Sequence, residues 1–310
     1  MLTKDLVSIE QLTTEELSNL LESANELKAV YKRGGRLNSL YGKVLAMIFA
    51  KPSLRTRVSF EVAAIQLGGH AMYITHQEVG LGKREAVCDA AQVLSRMVDG
   101  IMIRTFAQTE VEELARYAAI PVINGLTDLY HPCQVLADLM TIKELFGSLD
   151  GLSVTYVGDG NNVAHSLLNA ARRCPISLTI VTPEGYEPNT DLFEKARAEA
   201  TGNVRLLHEP YEGVQHAQVV YTDVWASMGQ EDQRKERIAR FQGYQITAEL
   251  LQHADADVKV LHCLPAHRGE EITDQVMDGP FSAVFLQAEN RLHLQRALLH
   301  RLMGNRYTRS

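Results

Sequence analysis

Along most of its length the chain alternates short apolar runs with longer stretches of helical periodicity. The apolar runs of the first half span residues 44–49, 71–74, 100–103 and 121–123. Those of the second half span residues 153–157, 177–181, 219–222 and 258–261. Strands separated by helices pair in the same direction, because each helix returns the chain to the starting edge of the sheet. The pattern therefore predicts the α/β class, with two doubly wound lobes built on parallel sheets.

Length and helix-breaking residues indicate where the two lobes divide. A chain of 310 residues with 45% hydrophobic content can bury more than one core. A helix that begins near Gln134 is interrupted at 147–151 by glycine, serine and aspartate. We therefore predict one domain over residues 1–147 and a second over 148–289, with an active site in the cleft between them. A final helix in 290–310 is expected to pack back on the first domain.

Charge and cysteine usage exclude several classes of protein. The 31 Lys and Arg residues against 38 Asp and Glu residues give a net charge of -7, which repels nucleic acid. No segment has the length of a membrane span, and the N-terminus lacks an apolar signal region, so we expect a cytoplasmic protein. The four cysteines form no C-x-x-C pair, which argues against a structural zinc site or a disulfide framework.

The segment 51–57, Lys-Pro-Ser-Leu-Arg-Thr-Arg, follows a predicted buried strand and opens a helix. A helix start presents backbone N–H groups and a positive dipole end, and Arg55 can bind two phosphate oxygens at once. The alternative is a capped helix with solvated basic residues. Two arginines at a helix start oppose the dipole unless an anion compensates, so this segment favours an anion site.

The segment His131-Pro132-Cys133-Gln134 begins an apolar helix just after a loop. His131 could donate a hydrogen bond to a carbonyl oxygen, or it could simply cap the helix. We expect Cys133 to be packed in the core rather than reactive.

Two further segments follow predicted strands of the second lobe, at the edge where open α/β sheets bind ligands. Asp223 could pair with a cationic amine, and Ser227 could bind a carboxylate together with the backbone next to Gly229. The alternative is an ordinary loop. After residue 157, the run Gly158-Asp159-Gly160-Asn161-Asn162 lacks the third glycine of a dinucleotide loop, so a nicotinamide cofactor is disfavoured.

The segment His262-Cys263-Leu264-Pro265 ends another predicted strand. Three interpretations of Cys263 remain open from the residues alone. It could be a covalent nucleophile, a buried thiol, or a group that hydrogen-bonds an attacking amine. Because neighbouring residues of a strand point to opposite faces, the adjacent His262 is weak support for the first.

Taken together, these motifs resemble the aspartate/ornithine carbamoyltransferase family over nearly the whole chain. Residues 53–57 look like its carbamoyl phosphate loop, and His131 to Gln134 look like its H-P-x-Q signature. Residues 223–229 and 262–265 match the D-x-W-x-S-M-G and H-C-L-P segments of the ornithine-using members, which the aspartate-using members lack. The resemblance implies transfer of a carbamoyl group from carbamoyl phosphate to L-ornithine, in arginine biosynthesis. Use of putrescine as acceptor is the nearest alternative, and the retained 227–229 loop speaks against it.

The resemblance also implies roles for individual residues. Phosphate would contact Ser53, Leu54, Arg55 and Thr56, with Arg57 supporting the loop. The carbamoyl oxygen would contact Arg104, Thr56 and His131, the carbamoyl nitrogen would contact Gln134, and Arg291 would contact the carbamoyl phosphate. Cys263 and the carbonyl of Leu264 would face the attacking amine or the carbamoyl NH2. Ornithine would be held by Asn162, Asp223, Ser227 and Met228. The catalytic set would be Arg104, His131, Cys263 and Asp223, with no metal or organic cofactor.

Two departures from the family pattern stand out. Leu54 replaces the commoner threonine, which removes a hydroxyl but keeps the backbone N–H. Gly80 stands where many relatives carry Gln or His, a residue that reaches a neighbouring subunit's site in the family homotrimer. Lys83 or Arg84 could replace that contact, or could form a solvated loop. A non-catalytic two-lobed binding protein or a dehydrogenase would explain fewer of these motifs.

Overall fold

The computed structural model describes residues 4–82, 84–226 and 231–304. The chain divides into two compact units, Met1–Met140 with Asn290–Ser310, and Thr141–Glu289. The predicted domain boundary at 147/148 stays a prediction. Among the described residues, no helix has both the length and the apolar character that crossing a lipid bilayer needs.

The first unit is built on a four-stranded parallel sheet. Its strands are β1 (Val44–Phe49), β2 (His70–Thr75), β3 (Gly100–Arg104) and β4 (Val122–Leu126), in the order β2-β1-β3-β4. Its helices are α1 (Thr14–Lys32), α2 (Leu54–Gln66), α3 (His76–Val79), α4 (Val87–Leu94), α5 (Gln108–Tyr117) and most of α6 (Pro132–Phe146). β1, β3 and β4 are almost wholly buried, as expected for central strands covered on both faces.

The second unit contains a five-stranded parallel sheet. Its strands are β5 (Ser153–Val157), β6 (Ser177–Val181), β7 (Val204–Leu207), β8 (Val219–Thr222) and β9 (Lys259–His262), in the order β7-β6-β5-β8-β9. Its helices are α7 (Asn162–Ala171), α8 (Thr190–Glu199), α9 (Pro210–Gly213), α10 (Arg234–Arg240), α11 (Ala248–Leu251) and α12 (Asp274–Met277). The last helix, α13 (Val284–Met303), ends in the first unit.

The structure confirms the predicted α/β class and departs from the sequence pattern mainly at β7. That strand was not predicted, because Val204–Leu207 is a four-residue edge strand whose apolar run is interrupted by an exposed arginine. The eight predicted strands are present, with bounds shifted by at most a few residues. Local apolar runs therefore locate eight of the nine strands in the described part of the chain, including the exposed edge strand β2, and miss the one whose short run is interrupted by a charged residue.

Strand order determines where ligand-binding residues can gather. In the first sheet β1 has β2 on one side and β3 on the other, and in the second sheet β5 lies between β6 and β8. In each sheet the connections on the two sides of that strand run in opposite directions. This reversal opens a crevice at the carboxyl ends of two adjacent strands. The segments after β1 and β3, and those after β5 and β8, are thus the ones best placed to form sites.

Candidate active site

The segment after β1 forms the predicted helix start. Ser53 is the N-cap of α2, and its Oγ accepts a hydrogen bond from the backbone N–H of Thr56 at 3.2 Å. The Leu54 side chain is 74% exposed, so the residue that departs from the family pattern contributes only its backbone to this first turn. Arg57 stacks over the ring of Tyr73, 4.2 Å from its centre. The turn has the geometry of an anion site.

Two buried guanidinium groups converge on one hydroxyl of this helix. Arg104, the last residue of β3, and Arg291 of α13 each donate a hydrogen bond to Thr56 Oγ1 at 3.4 Å. All three side chains are buried. Arg291 also donates to Gln134 Oε1 at 2.5 Å. We call Thr56, Arg104, His131, Gln134 and Arg291 the arginine cluster. Two buried cations beside a helix start create a positive potential that suits a small anion.

His131 belongs to this cluster as a neutral imidazole. Its pKa is held well below the usual value, first because the ring is buried and then because Arg291, Arg104 and Arg55 repel a further positive charge. A neutral imidazole still carries one N–H. His131 can therefore donate a hydrogen bond to an oxygen without adding charge.

Cys133 is a packed residue, as the sequence predicted. Its side chain is fully buried, and its Sγ donates to the carbonyl of Asn124 at 3.4 Å. Burial raises the pKa of this thiol to about 12, so it is not ionised near neutrality.

In the second unit, Asp223 lies directly after β8 and receives three hydrogen bonds. Its Oδ1 accepts from the thiol of Cys263 at 2.9 Å and from the backbone N–H of Val224 at 2.8 Å. Its Oδ2 accepts from Asn161 Nδ2 at 2.9 Å. We call Asn161, Asp223 and Cys263 the Asp223 cluster. A buried carboxylate oriented by neutral donors is suited to bind a cationic amine.

Asn161 is a candidate site residue that the sequence analysis missed. It is the N-cap of α7, where its Oδ1 accepts from the backbone N–H of Val163, and its other end reaches Asp223. The predicted Asn162 is the first residue of α7. The two predicted ornithine ligands Ser227 and Met228 lie outside the described residues. An asparagine that lies between a strand and a helix is a capping signal in the sequence. Its second contact, with Asp223, cannot be predicted from neighbouring residues because Asp223 is distant in the chain.

Asp159, after β5, forms a buried ion pair that was also not predicted. Its carboxylate lies 2.9 Å from Arg237, which in turn donates to the carbonyl of Trp225 at 2.9 Å. Burial raises the pKa of Asp159 to about 6, while Arg237 opposes the rise. The pair links the end of β5 to the segment that follows Asp223.

The segment after β9 is held by a buried histidine. The backbone N–H of Leu264 donates to His262 Nδ1 at 2.9 Å, and His262 Nε2 lies 2.9 Å from Glu271. Because Nδ1 accepts, the proton is on Nε2 and is donated to the carboxylate. Leu264 has a left-handed backbone with φ 59°, which these contacts support. These contacts fix Leu264 and with it the adjacent Cys263, whose thiol reaches Asp223.

Gly160 is needed for packing within the protein. A Cβ at this position would lie 2.2 Å from the backbone nitrogen of Pro188, and Gly160 N donates to the carbonyl of Tyr186 at 2.8 Å. The space that a dinucleotide loop would leave for a pyrophosphate is filled here by the chain's own backbone.

Two groups of side chains in the described part of the chain could offer three metal ligands each. They are Asp223, His262 and Cys263, and His267, Glu270 and Glu271. His262 is hydrogen-bonded to Glu271, and Cys263 is hydrogen-bonded to Asp223. Atoms of both groups are thus already engaged in hydrogen bonds within the protein.

Two family models match successive parts of the chain. One, described as aspartate/ornithine carbamoyltransferase, carbamoyl-P binding domain, matches residues 4–144. The other, described as the Asp/Orn binding domain of the same enzymes, matches residues 150–302. The chain belongs to the aspartate/ornithine carbamoyltransferase family. The resemblance predicted from the motifs is thus confirmed.

Within this family, several ornithine carbamoyltransferases are similar to this chain over nearly its whole length. That of Carboxydothermus hydrogenoformans is 53% identical over 304 residues, covering 97% of this chain and 98% of that protein. An anabolic ornithine carbamoyltransferase of Pyrococcus furiosus is 52% identical and covers 97% of this chain and 96% of that protein. The solved Pyrococcus furiosus structure superposes with a TM-score of 0.93 at 51% identity, covering 96% of each chain. The Thermus thermophilus structure has a TM-score of 0.89 at 45% identity, covering 98% of this chain and all of that one.

Proposed function

We propose that the chain is a carbamoyltransferase that moves the carbamoyl group of carbamoyl phosphate to the side-chain amine of L-ornithine, giving L-citrulline and phosphate. Relatives named ornithine carbamoyltransferase, 53% and 52% identical over nearly the whole chain, support this, and the anabolic one supports arginine biosynthesis. The observation that carries the proposal is the presence in one chain of the arginine cluster and the Asp223 cluster, which suit a phosphate ester and an amino acid.

The donor substrate is assigned to residues 1–147 with 290–310. Phosphate would bind at the start of α2, through Ser53, Leu54 N–H, Arg55 and Thr56, with Arg291 neutralising charge. The carbonyl oxygen would accept from Arg104, Thr56 and His131, and Gln134 would accept from the NH2 group. These donors face the position where negative charge develops, so they would stabilise a tetrahedral oxyanion.

The acceptor substrate is assigned to residues 148–289. Asp223, oriented by Asn161, would bind the α-amino group, and Asn162, Ser227 and the backbone of Met228 would complete the contacts to the zwitterion. Cys263 and the carbonyl of Leu264 would face the attacking amine or the carbamoyl NH2. The Cys263 thiol donates to Asp223, which favours hydrogen bonding over covalent catalysis.

The chemistry requires positioning and charge stabilisation. The side-chain amine has an ordinary pKa of roughly 10 and must lose its proton before it can attack, so we expect the rate to rise at alkaline pH. The nitrogen then attacks the carbonyl carbon, the bond from that carbon to the phosphate oxygen breaks, and the leaving phosphate takes up the proton that the attacking nitrogen loses. These steps use only the side chains named above, so we propose no metal or organic cofactor.

A citrulline assay tests the function directly. The protein is supplied with carbamoyl phosphate and, in separate reactions, with ornithine, putrescine, acetylornithine or aspartate, and the carbamoylated product is measured. We expect product with ornithine alone. If putrescine is carbamoylated with a kcat/KM equal to or higher than that of ornithine, putrescine would be assigned as the acceptor instead. If no acceptor gives product, the proposal is refuted.

We also propose a homotrimer. Five apolar side chains on α2 and the edge strand β2 are more than a third exposed, namely Leu54, Val58, Ile65, Met72 and Tyr73. Exposed apolar side chains grouped on one helix and one sheet edge are typical of a protein interface. Light scattering during gel filtration should give three times the 34.5 kDa chain mass. A monomer mass would contradict this.

A cytoplasmic location is the remaining proposal. All four cysteines, Cys88, Cys133, Cys174 and Cys263, are free, as is usual in a reducing compartment. Fractionation of cells that express the chain should recover it with cytosolic markers.

A further inference from the structure

The side-chain amide of Gln134 has a different kind of partner at each end. Its Nε2 donates to Asp138 Oδ1 at 2.8 Å, and its Oε1 accepts from Arg291 Nη1 at 2.5 Å. Asp138 is 0% exposed and Gln134 is 1% exposed. The amide therefore makes these contacts away from bulk solvent.

These two partners allow only one orientation of the amide. The two ends of a glutamine amide have nearly the same shape, so rotation by 180° costs little by itself. An ionised carboxylate can only accept hydrogen bonds, and a guanidinium can only donate them. A flipped Gln134 would set its oxygen against Asp138 and its NH2 group against Arg291. Asp138 lies four residues further along α6, on the same helix face, so the pair is built into one rigid element.

We propose that Asp138 is a positioning residue that determines specificity for the donor substrate, because it holds Gln134 with Oε1 toward the acyl group. This inference rests on the proposed function. An acceptor oxygen at that place recognises the NH2 group of a carbamoyl compound. The methyl group of acetyl phosphate cannot donate, so Oε1 would keep its bond from Arg291 and lack a second donor, a mismatch that disfavours the analogue.

In this proposal Asp138 is ionised, and its negative charge sets the orientation of the Gln134 amide. A hydrogen bond to a charged group is about twice as strong as one between neutral groups. If residue 138 is asparagine, its own amide can pair with Gln134 in either orientation. Arg291 alone then favours the productive orientation, and a fraction of the molecules present NH2 where the substrate also has NH2.

The test compares two ligands that differ only at that group. For each variant, the inhibition constant of acetyl phosphate is divided by the KM of carbamoyl phosphate at saturating ornithine. Both ligands carry the same phosphate, so changes in phosphate binding cancel in this ratio. We expect Asp138→Asn to lower the ratio about tenfold.

A swapped pair provides the second variant. In Gln134→Glu with Asp138→Asn, residue 138 donates to one glutamate oxygen and the other oxygen stays toward Arg291, whichever way the side chain turns. We expect the ratio to return to at least the wild-type value. Asp99→Asn is the matched control, because Asp99 accepts from the backbone N–H of Val44, away from the arginine cluster, and its ratio should not change.

An Asp138→Asn ratio within twofold of wild type would overturn the inference, whether or not turnover falls, because a purely structural role would lower turnover alone. If Asp138→Asn does not fold, the double variant Gln134→Glu with Asp138→Asn tests the inference by itself. A ratio below the wild-type value in that double variant would overturn the inference. Wild-type protein that makes no citrulline would instead refute the proposed function, so the two failures are distinguishable.

Discussion

Replacing Asn161 with serine removes one hydrogen bond to Asp223 while keeping a side chain that can cap α7. Asn161 donates to Asp223 Oδ2 at 2.9 Å and accepts from Val163 N–H at 2.9 Å. Serine caps helices about as well as asparagine, but its hydroxyl is too short to serve both partners. The variant should therefore fold and lose the support of the carboxylate, together with the longer hydrogen bond, 3.3 Å, that the Tyr156 hydroxyl donates to Asn161 Oδ1.

The size of the effect follows from what Asp223 retains. A hydrogen bond to a charged group contributes about 1.5–3 kcal/mol, which is about 10- to 150-fold in affinity. Asp223 keeps its bonds from Cys263 and Val224, so the lower end applies. We expect the KM for ornithine to rise about tenfold, with the KM for carbamoyl phosphate unchanged.

Steady-state citrulline kinetics measure both constants, and Asn189→Ser is the matched control. Asn189 caps α8 by accepting from the Leu192 N–H at 3.1 Å and lies outside the Asp223 cluster. The control should keep both KM values and show the same change in melting temperature. An ornithine KM within twofold of wild type in Asn161→Ser, or an equal rise in both KM values, would refute the reasoning.

Three further predictions concern the remaining groups. Arg104→Ala removes a donor that lies 3.4 Å from Thr56 Oγ1 and should lower kcat about a hundredfold or more, whereas near-normal citrulline production would contradict its role. Cys263→Ser keeps a donor toward Asp223 and should slow turnover without abolishing it, while complete loss together with a trappable covalent adduct on the wild type would indicate a nucleophile. Because burial raises the pKa of Asp159 to about 6, the folded state keeps this proton between about pH 4 and 6 while the unfolded state releases it. Denaturant titrations measure the unfolding free energies of the wild type and of Asp159→Asn. The wild-type value minus the variant value should fall by about 3 kcal/mol as pH rises from about 4 to 6. A difference that does not change with pH would exclude the raised pKa.

The strands of this protein were predictable because their signal is local. Buried parallel strands such as β1 and β8 are continuous apolar runs, and each is followed by residues that start a helix or loop. The edge strand β7 escaped prediction because an exposed arginine interrupts its four residues, so they do not form such a run. The functional segments were located for the same reason, since they follow the strands directly.

The partners of the site residues were less predictable because they are distant in sequence. Arg291 reaches Gln134 across 157 residues, and Cys263 reaches Asp223 across 40. The motif that contains Asn161 and Asn162 does not show which of the two would contact Asp223. The choice depends on β5 and β8 being neighbours in the sheet.

By itself, the sequence determined the α/β class, the family and the segments that carry the chemistry, because periodicity and motif depend on residues close together in the chain. The tertiary structure alone decided how those segments act. It set the orientation of the Gln134 amide between Asp138 and Arg291, the neutral state of His131 and the support of Asp223 by Asn161. Each of these depends on burial and on hydrogen-bond partners that only the packing of the elements brings within reach.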